Sequence, residues 1–176
     1  MEWQQLITDI FERISRDLEQ VLDGLTVDDL NQQPRPDCNS IGWLAWHLTR
    51  SHDRNISELV EEEQLWIKDK WHVKFNRAPD PAETGFGHSS EDAATFRSPD
   101  GKTLLEYHHA VLELAKRYIS GTLSETELKR ESASPTFGNI APVRRRLVGI
   151  INDGLQHAGQ AAYVRGLLKG KGWLGR

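Results

Sequence analysis

Four stretches of this chain repeat apolar side chains at intervals of three and four residues, a spacing that fits amphipathic helices packed as a bundle. The first covers about residues 2–23, with Trp3, Leu6, Ile7, Ile10, Ile14, Leu18, Val21 and Leu22 on one face and Gly24 as its stop. The second opens at Asn39 or Ser40, either of which can cap it, and carries Ile41, Leu44, Leu48, Ile56 and Leu59. The third starts at Asp100 and runs to about Ser120, where Gly121 ends it. The last starts at Pro142, a residue suited to a first helical turn, and closes at Gly170 and Gly172. No segment alternates clearly enough to read as a strand. The expected fold class is therefore all-α, a four-helix bundle, and the length of 176 residues suits one domain over residues 1–176.

The connections are less regular. Pro34 and Pro36 make part of the segment after Gly24 a non-helical crossover. A short helical piece is expected within EEQLWIKDKWHVKF. Residues 76–100 hold Pro79, Pro81, Gly85, Gly87 and Pro99, and a loop of that length inside a compact domain is usually functional or mobile. Ser89 or Ser90 can open a single turn there, and Ser124 to Glu127 resembles a capping box. Trp66 and Trp71 lie in or beside these loops, which suggests a lined cavity or an interface.

Charge narrows the function classes. A net charge of -4 argues against a nucleic-acid partner. No apolar run approaches the roughly 20 residues of a membrane span, and the first residues lack the basic-then-apolar order of a signal peptide. With Cys38 as the single cysteine, no disulfide can form within the chain, and a cytoplasmic location is expected.

The chemistry concentrates on the last helix. Leu147, Ile150, Gly154, His157, Ala161, Val164 and Leu168 form its inward stripe, and Asp153 precedes His157 by one turn on the same face. A buried carboxylate needs an arginine, a proton or a metal. Arg146 lies two turns away, roughly 10 Å in rise, too far for a comfortable bridge. His47 sits beside Leu44 and Leu48 in the second helix. If those helices pack, two imidazoles and a carboxylate converge, the donor set of a catalytic zinc with open positions. The same residues would also suit a surface ion pair and a hydrogen-bonded core histidine. His52, about 140° around the helix from His47, reads as a surface group or a support for the site. His108 and His109 cannot both face inward, His72 and His88 could line a pocket mouth, and Gln160 could support the site or simply pack. Cys38 reads as a bland thiol, since no base for it is identifiable.

Two segments carry a family resemblance. NSIGWLAWHLTRSHDRNISEL resembles the second-helix motif of the DinB-like superfamily, and NDGLQHAGQAAYVRGLL resembles its last-helix motif. The resemblance implies an up-down-down-up bundle with one long crossover, and a metal site formed by His47, Asp153 and His157. Asp153 departs from the histidine most members have there, although relatives similar to mycothiol-dependent maleylpyruvate isomerase also carry a carboxylate. Several members use mycothiol or bacillithiol as co-substrate. The resemblance thus implies a divalent metal, zinc or nickel, and thiol transfer to, or isomerisation of, a small-molecule substrate. A metal-activated hydrolase and a stress-linked interaction protein with a vestigial site are the alternatives. Exposed apolar, Trp-rich helix faces also suggest a homodimer.

Overall fold

The computed structural model describes residues 2–170, and its long helices are α1 (Glu2–Leu22), α3 (Ile41–Val60), α7 (Gly101–Gly121) and α8 (Val143–Lys169). Shorter helices lie between them: α2 (Val27–Asn31), α4 (Leu65–Lys68), α5 (Trp71–Lys74) and α6 (Ser90–Thr95). Gly170, with φ of 79°, closes α8, and its N–H bonds to the Gly166 carbonyl. The second stop expected at Gly172 lies outside the described residues.

The bundle runs up-down-down-up. α8 packs against α1 and α3, and α7 packs against the same two from the other side. Arg165 near the end of α8 donates to the carbonyl of Val21 at the end of α1, so these two helices are parallel. Arg146 at the start of α8 reaches Glu58 at the end of α3, so that pair is antiparallel. Gln4 and Ile119, at opposite ends of their helices, make α1 and α7 antiparallel as well. α3 and α7 therefore run the same way, and residues 61–100 form the long crossover between them. Leu6 departs from the expected stripe of α1: it is 60 % exposed, and the buried face begins at Phe11.

α3 is the helix most enclosed by the fold. Ser40 caps it by accepting from the Trp43 N–H at 3.2 Å. Every residue from Ile41 to Arg50 is buried, because α7 and α8 cover one side and the crossover covers the other. A charge survives there only because it is fully paired. Arg50 bonds to Asp53 at 3.3 Å, Tyr107 at 3.2 Å, Gln64 at 2.9 Å and the carbonyls of Glu83 and Pro81 at 2.9 and 3.2 Å. Asp53 accepts from the backbone N–H groups of Leu65 and Trp66 at 2.9 and 2.8 Å, at the start of α4. This network clamps the start and the middle of the crossover onto α3. Trp66 and Trp71 are buried in the main core rather than lining a cavity or interface, with Trp66 tilted against Phe75 and Tyr107.

Two local features escaped the sequence reading. Thr26 and Asp29 form a reciprocal cap for α2, a helix too short to show periodicity. Strands β1 (Glu131–Ala133) and β2 (Ile140–Pro142) pair antiparallel, Glu131 opposite Pro142 and Ala133 opposite Ile140. Three residues are too few for alternation to register. The hairpin and the Val143 N–H bond to the Arg130 carbonyl (2.9 Å) fix where α8 begins. Of the expected capping box at Ser124, half forms: Ser124 accepts from the Glu127 N–H at 3.1 Å, while the Glu127 carboxylate turns to Tyr118 and Arg130.

Candidate metal centre

α3 and α8 pack with Gly154 at their crossing. A Cβ on Gly154 would lie 2.7 Å from His52 Nε2 and 2.9 Å from Ile14 Cδ1, so only glycine lets α8 approach this closely. The approach brings His47 of α3 to Asp153 and His157 of α8. The His157 Nε2 atom stands 3.3 Å from Asp153 Oδ1, and His47 Nε2 stands 4.0 Å from the same oxygen. One donor atom from each residue lies within 4.8 Å of the others. Ligands about 2.1 Å from a tetrahedral ion are about 3.4 Å apart, so small side-chain adjustments would close this triangle on a metal.

The outer nitrogens are already committed. His47 Nδ1 donates to the Thr84 carbonyl, which leaves the Nε2 lone pair facing the other two residues. His157 Nδ1 meets Gln160 Oε1 at 2.8 Å, with the same consequence. Histidines that bind metals are commonly oriented this way by a second hydrogen bond. Ring packing adds rigidity: His47 stacks on Trp43 with centroids 4.7 Å apart, and Trp43 donates its indole N–H to His88 Nδ1 at 3.3 Å. Burial pushes the His47 pKa down, against the opposing pull of Thr84 and Asp153. For His157 burial also opposes charge, but the hydrogen bond and negative charge of Asp153 outweigh it and raise the pKa. Asp153 is correspondingly lowered, with burial resisting and His157 prevailing. Ser51 lies near enough to help keep that carboxylate ionised, yet Oδ2 is buried without a hydrogen bond of acceptable geometry among the described residues. Two imidazole donors and a carboxylate with an unsatisfied buried oxygen together fit a divalent cation.

The site is more open than the inward stripe suggested. The Asp153 side chain is 29 % exposed and that of His157 18 %, because Gly154, Ala158 and Ala161 face the core and these two sit to one side. Asp153 and His47 line a cavity of about 380 Å³ whose other walls include Ser51, Arg54, Thr84, Phe86, Phe137 and Asn139. Thr84 and Phe86 come from the crossover, Phe137 and Asn139 from the β1–β2 turn. None was singled out from sequence. The available hint was the glycine pair at 85 and 87. Gly85 has φ of 83°, and a Cβ there would lie 2.9 Å from both Trp43 and Trp46 and 3.0 Å from His47 Nδ1. Only a glycine lets the crossover settle on these rings and bring the Thr84 carbonyl to His47.

The other histidines separate cleanly. His52 is a core residue, not a surface one: it is 2 % exposed, its Nε2 lies 3.2 Å from the Ile150 carbonyl, and the burial of α3 on all sides explains it. His108 is buried against Thr49 at 3.2 Å, while its neighbour His109 pairs outside with Glu19 at 2.7 Å. His88 sits beside the site through Trp43, whereas His72 bonds within its own turn to the Arg77 carbonyl at 3.3 Å. Cys38 is half-buried in the loop before α3.

This helix order and this convergence of α3 with α8 agree with a match found by sequence. The sequence model of the mycothiol-S-transferase family, a DinB-like family, aligns with residues 6–170. The chain belongs to the mycothiol-S-transferase family. Its fold is also similar to the crystal structure of a conserved protein from Enterococcus faecalis, with TM-score 0.84 and 32 % identity, covering 95 % of this chain and 97 % of that one. No protein with a curated description matches. No helix among the described residues is long and apolar enough to cross a membrane.

Proposed function

We propose that this member of the family is a metal-dependent thiol S-transferase, in which His47, Asp153 and His157 hold a divalent cation, zinc or nickel. The observation that carries the reading is the convergence of three donor atoms beside a cavity, with the two imidazoles already aimed by Thr84 and Gln160. A metal with three protein ligands keeps positions open, and when bound it lowers the pKa of a coordinated sulfur or water toward neutrality.

The chain's own part is positioning. Thr84 and Gln160 fix the imidazole tautomers, and the packed α3–α8 crossing fixes the spacing. Phe86 and Phe137, with ring centroids 5.7 Å apart, form an apolar rim over the cavity, suited to an electrophilic carbon skeleton. In the transfer, the sulfur of a low-molecular-weight thiol such as mycothiol or bacillithiol forms a bond to the electrophilic carbon. The thiol proton leaves to water through the open mouth, and the leaving group departs with the electron pair of its former bond.

The test is a thiol panel run on protein stripped of metal and then reloaded with zinc or nickel, using a chromogenic electrophile. The expected result is consumption of thiol and electrophile one for one, and only in the reloaded protein. Turnover of ester or amide substrates without added thiol would overturn the transferase reading in favour of hydrolysis.

A further inference from the structure

The cavity at the metal centre does not end there. A second cavity of about 450 Å³ shares Ser51, Arg54, Phe86, Asn139 and Asp153 with it and continues along the first turns of α8 to Gly149 and Arg145. Three arginines border this extension. Arg146 is tied to Glu58, Asn55 and Ser132, and Arg54 is tied to Glu58 and Ser134. Glu58 thus serves two of the three, and the other carboxylate, Asp153, is engaged with His157. Arg145 makes no hydrogen bond or ion pair among the described residues. The groove therefore has a cation to spare at the end away from the metal centre.

Arg145, Gly149 and Asp153 are spaced by four, a single row along α8. Gly149 is exposed, and a Cβ on it would meet nothing within 4 Å. A glycine inside a helix weakens it relative to alanine, and no neighbour here requires one. What its bareness does achieve is an open floor between Arg145 and Asp153. The rise from residue 145 to 153 is about 12 Å at 1.5 Å per residue.

We infer that the groove takes an elongated thiol whose tail ends in a carboxylate held by Arg145, about 12 Å from the sulfur. The inference rests on the transferase reading for the place of the sulfur, and on the groove alone for the place of the anion. A guanidinium suits a carboxylate because its planar fork offers two parallel N–H donors. Uncharged thiols of equal length leave Arg145 unpaired and bind less well.

The experiment compares 8-mercaptooctanoate with 8-mercaptooctanol on cobalt-loaded protein, following the cobalt absorption spectrum. The expected result is that both perturb the spectrum and that the acid binds about tenfold more tightly, the value of one charge-assisted contact. Arg145→Gln removes the preference and leaves the alcohol's affinity unchanged. Gly149→Leu weakens both long thiols but not 2-mercaptoethanol, without lowering the unfolding midpoint. Equal binding of acid and alcohol to the unmodified protein would overturn the inference and leave the transferase reading standing. Should neither thiol perturb cobalt, the transferase reading falls, and octanoate followed by backbone amide shifts decides the anion site. Saturable shifts at 145–149 that vanish in Arg145→Gln support it, and their absence overturns it.

Discussion

Replacing Gly85 by alanine separates what the fold needs from what the site needs. Two costs arise at that position. The backbone has φ of 83°, where an L-residue costs about 1–2 kcal/mol. The added Cβ also lies 2.9 Å from Trp43 and Trp46 and 3.0 Å from His47 Nδ1, closer than carbon atoms tolerate. Both rings belong to the buried core, so relief must come from the crossover itself at a further ~1–3 kcal/mol. Gly87 provides the control: its φ is 80°, yet a Cβ there meets nothing within 4 Å. Gly87→Ala should therefore cost only the backbone share. Gly85→Ala should cost both and lift the Thr84 carbonyl away from His47. Loss of such an outer partner typically lowers metal affinity about 10–100-fold. Denaturant unfolding of the metal-free proteins measures the first effect, and competition with a chromophoric chelator measures the second. If the two variants lose equal stability and bind metal equally well, the argument that Gly85 seats the crossover on His47 is wrong.

Other outcomes follow from the buried charges and histidines. Burial depresses His108 to about 3 and His52 to about 4, so both are neutral in the fold and charge more readily when unfolded. Their contribution is complete above the unfolded value near 6.5 and is lost as pH falls, by up to ~1.4 kcal/mol per pH unit for each. Stability measured from pH 6.5 to 4.5 should fall steeply, and His108→Leu should remove about half of that slope; an unchanged slope would count against the assignment. Glu58→Ala strands Arg146 and Arg54 in a buried setting and should destabilise by about 3–5 kcal/mol in urea unfolding, whereas an exposed pair would lose under 1 kcal/mol. Gln160→Ala frees His157 Nδ1 and should weaken metal binding about tenfold in the chelator assay with little change in unfolding.

The long helices were legible because each repeats its apolar set over five or six turns, enough for the period to dominate. The convergence of His47 with Asp153 and His157 was legible for a related reason. The four-residue spacing fixed two of the three on one face, and the bundle brought α3 to α8. The walls of the site were not legible. Thr84, Phe86, Phe137 and Asn139 come from segments without periodicity, and they reach the site only through long-range contacts such as Arg50 to the Glu83 carbonyl and β1 to β2. The surface alternative for His52 fails for the opposite reason: a helical wheel assumes one dry face, but α3 is covered on all sides. Asp153 proved half-buried rather than deep, since the small residues of α8, not its carboxylate, occupy the closest approach.

The proposed chemistry requires one divalent ion among His47, Asp153 and His157. Anomalous diffraction from crystals of protein purified without chelator, paired with elemental analysis of the same sample and of the His47→Ala, His157→Ala double variant, tests it most directly. The expected result is about one ion per chain, a single strong peak between the two Nε2 atoms and the Asp153 carboxylate, and loss of the ion in the double variant. Metal found elsewhere on the chain, or retained in full by the double variant, would contradict it.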